Sequence, residues 1–266
     1  MWEYIKAIIL GIVEGLTEFL PISSTGHLIL VNQWISFSEE FTILFDVFIQ
    51  MGAILSVIIY FRKDVFPSSF KMIADTIFIN FWMKILIAFL PAVVLGVLFS
   101  DVIEEKLFNI TTVSISLFIG GILIILIDRK KRQFKFDSVK TMPYLVSLYI
   151  GLFQCLAMVP GTSRSAATII GALVLGSSRK LAAEFSFYLA IPTIIGASVY
   201  SLAKSKIDLS MQEIGLLAVG FFVSFIVALL VIRFFMNFIR KHSFEVFGYY
   251  RIVLALVIFI WLYLIQ

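Results

Sequence analysis

The chain has 266 residues, of which 61% are hydrophobic, 15% are aromatic and only 14% are charged, and its mean hydropathy is +1.05. A soluble domain is about half apolar and a quarter charged, so this composition excludes a soluble globular protein, a disordered chain and a coiled coil. The single cysteine, Cys155, cannot form an internal disulfide and indicates nothing about the redox compartment. The net charge of +4 is typical of membrane proteins with basic cytoplasmic loops, and no basic stripe suggests nucleic acid as a partner.

Six apolar stretches approach the length of about 20 residues that a membrane-spanning helix needs. In chain order they cover residues 43–61, 84–100, 111–127, 185–202, 214–236 and 249–265. The sequence therefore predicts an all-α polytopic membrane protein with about six spanning helices. It contains no Walker loop, H-E-x-x-H or C-x-x-C motif, so ATP hydrolysis and zinc chemistry lack support. The pattern of type-2 phosphatidate phosphatases is also absent, because no histidine stands near position 170.

Two further apolar segments, residues 4–35 and 143–176, are interrupted by Pro21 and Pro160. Proline removes a backbone donor and ends a helix, while the serines and threonines that follow can cap a new one. Irregular backbone at membrane depth is tolerated only inside protein or beside a wet cavity. Each segment is therefore predicted to be a re-entrant helix–break–helix hairpin.

The distribution of basic residues predicts the topology, because cytoplasmic loops collect Lys and Arg. The 128–142 segment holds six of them and is assigned to the cytoplasm. With both hairpins returning to the side from which they start, the cytoplasmic connections hold 14 Lys and Arg residues and the external ones hold three. The cytoplasmic connections are then 62–82, 128–142, 176–183 and 237–251, and the external ones are 36–42, 101–110 and 203–213 (with Lys106, Lys204 and Lys206). Both termini are predicted to lie outside.

The two broken segments also resemble each other. Gly11-Ile-Val-Glu14 followed by Pro21 parallels Gly151-Leu-Phe-Gln154 followed by Pro160, at an offset of 139–140 residues. Entry from opposite sides would make these segments an inverted repeat whose broken helices meet near the midplane. The chain is accordingly predicted to be one integral membrane domain, 1–266, with repeat one at about 1–127, the basic loop at 128–142 and repeat two at about 143–266.

Glu14 and Glu18 are one helical turn apart on the same face of the first broken segment. A charge at the bilayer centre costs about 2.5–3.5 kcal/mol or more, so two carboxylates there require a cation opposite them. The structural interpretation is that they pair with a neighbouring basic residue. The functional interpretation is a divalent metal site, a proton-accepting carboxylate, or both, since hard cations prefer carboxylate oxygens.

Polar residues that can act on a phosphate follow each break. Ser24 and His27 lie three residues apart, so the histidine could serve the serine as a base or protonate a leaving oxygen, although a capping serine and a buried histidine are the structural alternative. In the second segment Arg164 follows Pro160, and an arginine at a helix N-terminus suits a phosphoryl group. The alternative is a structural pair of Arg164 with Glu14 or Glu18, which a phosphate could displace. Asp46 with Gln50, and Glu184, are interpreted as structural.

These residues lie in runs that resemble the signature blocks of the bacterial undecaprenyl-diphosphate phosphatase family, which is also associated with bacitracin resistance. The runs are EGLTEFLPISSTGH (14–27) and QCLAMVPGTSRSAAT (154–168), with further similarity at FDVFIQMGAIL (45–55) and EFSFYLAIP (184–192). The similarity extends over nearly the whole chain. One departure is Ala166-Ala167, where family members often have glycine first, and it affects only local packing.

The resemblance implies a bacterial plasma-membrane enzyme that removes the terminal phosphate of a C55 polyprenyl diphosphate and regenerates the monophosphate carrier of cell-wall synthesis. It implies an active site facing the extracytoplasmic side and a divalent cation, Mg²⁺ or Ca²⁺. Carried onto this chain, Glu18, Ser24, His27 and Arg164 are expected to be catalytic and Glu14 and Glu18 to hold the metal. The phosphate is expected to contact Ser23, Thr25, Ser163, Arg164, Ser165 and Thr168.

Several alternatives remain open on the sequence. The nucleophile is Ser24, with Glu18 or His27 accepting its proton, or His27 itself, or a metal-bound water. Inverted repeats and broken helices also occur in transporters, so a polyprenyl-phosphate flippase is the alternative function. Membrane lipids are expected around the chain, and a homodimer is a further possibility.

Overall fold

The computed structural model describes residues 1–67, 75–130, 133–204 and 209–265. These residues fold into helices, and apart from one isolated bridge between Phe136 and Ser177 they contain no β-structure. The α-helices are α1 (Trp2–Thr17), α2 (Ser24–Val31), α3 (Glu39–Tyr60), α4 (Arg62–Val65), α5 (Thr76–Leu107), α6 (Ile110–Arg129), α7 (Tyr144–Gln154), α8 (Arg164–Val174), α9 (Arg179–Lys204), α10 (Met211–Phe238) and α11 (Glu245–Ile265). Lys71, Lys131, Arg132 and Lys206, used above to predict the topology, lie outside the described residues.

Six of the helices, α3, α5, α6, α9, α10 and α11, are long and apolar enough to cross a membrane. The predicted all-α polytopic fold with six spanning helices is thereby confirmed. Helix α5 is much longer than the predicted span of 84–100, because Asp75 caps it by accepting a hydrogen bond from the Ile77 amide. The charge of Lys84 also does not end the helix, since its buried Nζ donates to the Val139 and Lys140 carbonyls.

Four connections that were predicted to share one side of the membrane meet at one end of the helix bundle. Arg179 pairs with Asp128 at 2.7 Å, and the other carboxylate oxygen of Asp128 accepts from the Phe244 amide. The Tyr188 hydroxyl, on α9, donates to Asp64 at 3.1 Å. At the other end, Lys204 pairs with Asp101 at 3.0 Å. These contacts join the connections 128–142, 176–183 and 237–251, place Asp64 of 62–82 beside the first half of α9, and join 101–110 to 203–213. The side of the membrane on which each connection lies stays a prediction.

Each of the two proline-containing segments forms two helices around a break. Helices α1 and α2 flank the break at 18–23, and the Lys6 side chain near the start of α1 reaches the Ser36 carbonyl beyond α2. The second segment comprises α7, a 3₁₀ turn (Cys155–Met158), a break at 159–163 and α8. The helix–break–helix pattern is confirmed. That these units are re-entrant, and that they belong to an inverted repeat, stays a prediction.

Glycines allow the helices that carry the first break to pack closely against the rest of the bundle. A Cβ atom at Gly52 of α3 would lie 2.3 Å from the Phe221 carbonyl oxygen of α10, and one at Gly11 of α1 would lie 2.8 Å from that of Gly220. Small residues permit such approach in membranes, where packing rather than the hydrophobic effect joins helices. Helix α10 consequently supports both α1 and α3, and holds the first break in place.

Candidate functional site

The two breaks meet inside the bundle. The Ser165 hydroxyl, at the start of α8, donates to the Leu20 carbonyl in the first break at 2.8 Å. Beside this bond, Arg164 Nη2 lies 3.2 Å from Glu18 Oε1, and both side chains are nearly buried. The sequence analysis predicted that an acid from the first segment would face an arginine from the second, and this contact is present.

Glu18 connects the arginine to a serine. While Oε1 accepts from Arg164, Oε2 accepts from the Ser24 hydroxyl at 2.5 Å. Glu18 is the residue immediately after α1 and Ser24 is the first residue of α2, so the break itself turns the chain back and brings them together. A carboxylate in this position can accept the serine proton and thereby make its oxygen nucleophilic.

Arg164 is held by contacts on two sides, while its Nε nitrogen has no partner among the described residues. Its Nη1 donates to the Ser186 carbonyl of α9 at 3.0 Å, and its guanidinium lies over the Phe19 ring at 6.0 Å. Its Nε is buried and has no hydrogen-bond partner among the described residues. Because a buried unsatisfied donor is costly, this nitrogen is available to an anionic ligand that enters the site.

The helices after the two breaks begin in the same unusual way. Ser23 and Ser163 have φ values of 74° and 72°, and their hydroxyls accept from the amides of Gly26 and Ala166, which caps α2 and α8 as predicted. Non-glycine residues at positive φ are strained and cluster at functional sites. Two capped helix N-termini next to Arg164 give this region a positive potential that favours an anion.

His27 is oriented by residues other than Ser24. Its Nδ1 lies 2.7 Å from the Ser23 carbonyl, which can only accept, so Nδ1 carries the proton. In the neutral imidazole Nε2 is then the acceptor for the Tyr250 hydroxyl, which lies 2.7 Å away, and the two rings stack. Of the two candidate proton acceptors for Ser24, Glu18 is therefore the one hydrogen-bonded to it here.

Glu14 is the most deeply buried acid of the site. Its side chain is 0% exposed, and neither carboxylate oxygen has a hydrogen-bond partner among the described residues. The carboxylates of Glu18 and Asp46 and the guanidinium of Arg164 are charged groups near it, and Asp46 itself accepts from the Asn32 side-chain amide at 2.9 Å. A buried carboxylate that lacks hydrogen-bond donors and lies beside a second carboxylate is unstable, so a proton or a further cation is expected to accompany it.

The acids of the site provide only part of a metal coordination sphere. No group of three or more His, Cys, Asp or Glu residues that could hold a metal occurs in the described ranges. Mg²⁺, however, is commonly bound by one or two carboxylates together with substrate phosphates and water. The orphaned oxygens of Glu14, next to Glu18, fit that mode of binding, in which a phosphate ligand completes the shell.

Most of the remaining predicted phosphate ligands form hydrogen bonds within the protein. The Thr168 hydroxyl is fully buried and lies 2.7 Å from that of Ser186, and the Ser163 and Ser165 hydroxyls are 3.0 Å apart. Thr25 is half-buried in the first turn of α2. The structure places all of them beside the breaks, and their binding to phosphate stays a prediction.

Sequence reasoning overlooked three residues that build the site. Ser186 holds Arg164, Tyr250 holds His27, and Arg251 was wrongly assigned to the 237–251 connection. Helix α11 begins at Glu245, and Arg251 is fully buried in it with its guanidinium bonded to backbone carbonyls. A charge satisfied in this way does not end a helix; the signal for it was a lone arginine preceding a long apolar run.

The six apolar helices and the buried acid–arginine contact define a multi-pass membrane protein with a polar site enclosed by its helix bundle. The family model for bacitracin resistance protein BacA matches residues 7–257, and the chain belongs to this family. Undecaprenyl-diphosphatase 1 of Clostridioides difficile (strain 630) is 48% identical over 267 residues, covering 99% of this chain and 97% of that protein. Undecaprenyl-diphosphatase of Ectopseudomonas mendocina (strain ymp) is 47% identical over 97% of this chain and 94% of its own length.

Proposed function

We propose that this chain is an undecaprenyl-diphosphatase, which hydrolyses undecaprenyl diphosphate to undecaprenyl phosphate and inorganic phosphate. Relatives with this name are 46–48% identical over nearly the whole chain, which favours the phosphatase over a polyprenyl-phosphate flippase. The observation that carries the proposal is Glu18, which contacts both Ser24 and Arg164. A protein that only bound and moved a lipid phosphate would not need a serine hydrogen-bonded to a carboxylate.

Arg164 is the residue proposed to bind the terminal phosphate. Its free Nε and the positive ends of α2 and α8 favour the extra negative charge that develops as the phosphoanhydride breaks. The phosphate can replace Glu18 as the partner of Nη2, which would release the carboxylate for proton transfer. Ser186 keeps the guanidinium oriented during that exchange.

Ser24 is the nucleophile that the geometry supports best. Its oxygen attacks the terminal phosphorus, its proton passes to Glu18 Oε2, and the bond between phosphorus and the bridging oxygen breaks to release undecaprenyl phosphate. Glu18 passes the serine proton on to the undecaprenyl phosphate that leaves. Water then attacks the phosphorus of the phosphoserine and gives a proton to Glu18, which returns it to the Ser24 oxygen as the bond between that oxygen and phosphorus breaks and inorganic phosphate leaves. His27 is a weaker candidate nucleophile, because Ser23 and Tyr250 occupy both ring nitrogens.

Glu14 and Glu18 are proposed to hold a divalent cation, Mg²⁺ or Ca²⁺, together with the diphosphate. When bound, such a cation would neutralise part of the negative charge of the two phosphates. Membership of the family and the bacterial relatives support a location in the bacterial plasma membrane. The distribution of basic residues supports a topology with the 128–142 connection in the cytoplasm, both termini outside and the site open to the extracytoplasmic side.

Purified protein in detergent is expected to release inorganic phosphate from undecaprenyl diphosphate. A chelator should abolish release, and added Mg²⁺ or Ca²⁺ should restore it. Glu14→Gln should raise the cation concentration needed for half-maximal rate by about tenfold or more, the usual cost of weakening a metal site. The matched control is Glu3→Gln, which changes a half-exposed acid in the same helix. Absence of phosphate release by folded wild-type protein, with lipid transfer between vesicle leaflets intact, would favour the flippase instead.

Covalent catalysis is tested separately by rapid quenching with substrate labelled in its terminal phosphate. We expect label on the chain, located at Ser24 by peptide mapping and absent from Ser24→Ala. Label on His27 would identify the histidine as nucleophile. A chain that turns over but never retains label would support direct attack by water.

A further inference from the structure

Arg251 is a fully buried arginine that has no carboxylate among its hydrogen-bond partners. Its guanidinium makes five hydrogen bonds of 3.0–3.3 Å, and every acceptor is a backbone carbonyl. The acceptors are the carbonyls of Pro21, Ser116, Leu117, Gly161 and Thr162. Burying a charged side chain completely, as here, costs free energy, and the positions of these carbonyls indicate what the arginine does in return.

The acceptors belong to both breaks and to the helix behind them. Pro21 lies in the first break, and Gly161 and Thr162 lie in the second, directly before the cap of α8. Gly161 has a φ of 87°, and a Cβ there would lie 2.5 Å from the Val113 carbonyl of α6. One side chain from α11 thus joins the two breaks to each other and to α6.

The breaks create a need that arginine meets better than any other side chain. Within an irregular break, carbonyls lack the partners that a regular helix provides, and buried carbonyls must find donors. Arginine supplies five N–H groups in a rigid planar fork, whereas lysine supplies three on a single nitrogen. Arg251 donates three hydrogen bonds to carbonyls of the breaks and two to carbonyls of α6, so one rigid group links the two breaks.

We infer that Arg251 is a positioning residue for phosphate release: it sets the spacing at which Glu18 and Ser24 on one break face Arg164 on the other. This inference rests on the proposed function. Catalytic groups must be held within about 0.5 Å of the productive geometry, and displacement of about 1 Å can cost 10²-fold in rate. Glu18 is three residues from Pro21 and Arg164 is two residues from Thr162, so a shift of either break moves the reacting groups directly.

The test is Arg251→Lys, which retains the charge and loses the fork. We expect kcat to fall by about 10- to 100-fold while KM changes by less than about threefold, because Arg164 still binds the phosphate. A residue needed only for stability would lower the melting temperature and leave kcat per folded molecule unchanged. The matched control is Arg233→Lys, at an exposed position of α10, which should change neither constant.

A second variant leaves Arg251 unchanged and displaces its side chain by enlarging a neighbouring residue. Gly120→Ala would place a Cβ 2.3 Å from Arg251 Nη2, whereas Gly96→Ala, the control, has no neighbouring atom within 4 Å. Gly120→Ala should also lower kcat with little change in KM. Wild-type protein that releases no phosphate would contradict the proposed function. Active wild type with kcat unchanged in the folded variants, or failure of both Arg251→Lys and Gly120→Ala to fold, would overturn the positioning role.

Discussion

Replacing Glu18 by glutamine is expected to lower kcat for phosphate release by about 10²–10⁴-fold, the usual contribution of a general base. Glutamine has nearly the same shape, and its amide oxygen can accept from Arg164 while its NH2 group donates to the Ser24 oxygen, so the fold should survive. It cannot take up the serine proton, however, and it leaves Arg164 without a charged partner. Initial rates over a range of substrate concentrations give kcat and KM for the variant.

The control for this variant is again Glu3→Gln, which neutralises a carboxylate at the start of α1 that pairs with Lys6. Its rate should match the wild type. Equal rates for Glu18→Gln and wild type, with both proteins folded, would show that Glu18 is a structural partner of Arg164 and would remove the proposed base.

Replacing Arg164 by lysine is expected to lower kcat/KM by about 10²-fold or more, although the charge is conserved. The guanidinium binds Ser186 and Glu18 with separate nitrogens and offers its third nitrogen to the ligand. The single ammonium group of lysine cannot point toward Ser186, Glu18 and the ligand from three separate nitrogens. The phosphate therefore loses its orientation in both the ground state and the transition state. Steady-state phosphate release measures the loss.

Arg233→Lys on α10 serves as the control, since that arginine is exposed. A variant Arg164→Lys with wild-type kcat/KM would mean that charge alone suffices, and the separate directions of the guanidinium nitrogens would have no part in catalysis. A loss confined to KM would assign Arg164 to binding rather than to stabilising the transition state.

Much of the fold was predictable because hydropathy reports directly on membrane-spanning helices. The breaks were predictable as well, since Pro21 and Pro160 cannot continue a helix and a following serine can cap the next one. The contact between Glu18 and Arg164 followed from a physical requirement, namely that buried carboxylates need a cation. For Glu14, neither the sequence nor the described part of the structure identifies a hydrogen-bond partner.

Other features could not be predicted, because they depend on backbone groups of distant segments. Lys84 and Arg251 are buried charges whose partners are carbonyls far away in the chain, and backbone carbonyls leave no pattern in a sequence. Counting Arg251 as a loop residue was therefore a consequence of treating every basic residue as exposed. The orientation of the His27 ring likewise depends on a hydrogen bond with Tyr250, 223 residues away.

The most direct test of the central claim compares Glu18→Gln, Arg164→Lys and the double variant in phosphate release. If the two residues act as one unit on the terminal phosphate, the double variant should be about as slow as the slower single variant, so that the losses do not multiply. Losses that multiply fully, as expected for independent sites, would contradict the account in which the two breaks meet around one phosphate.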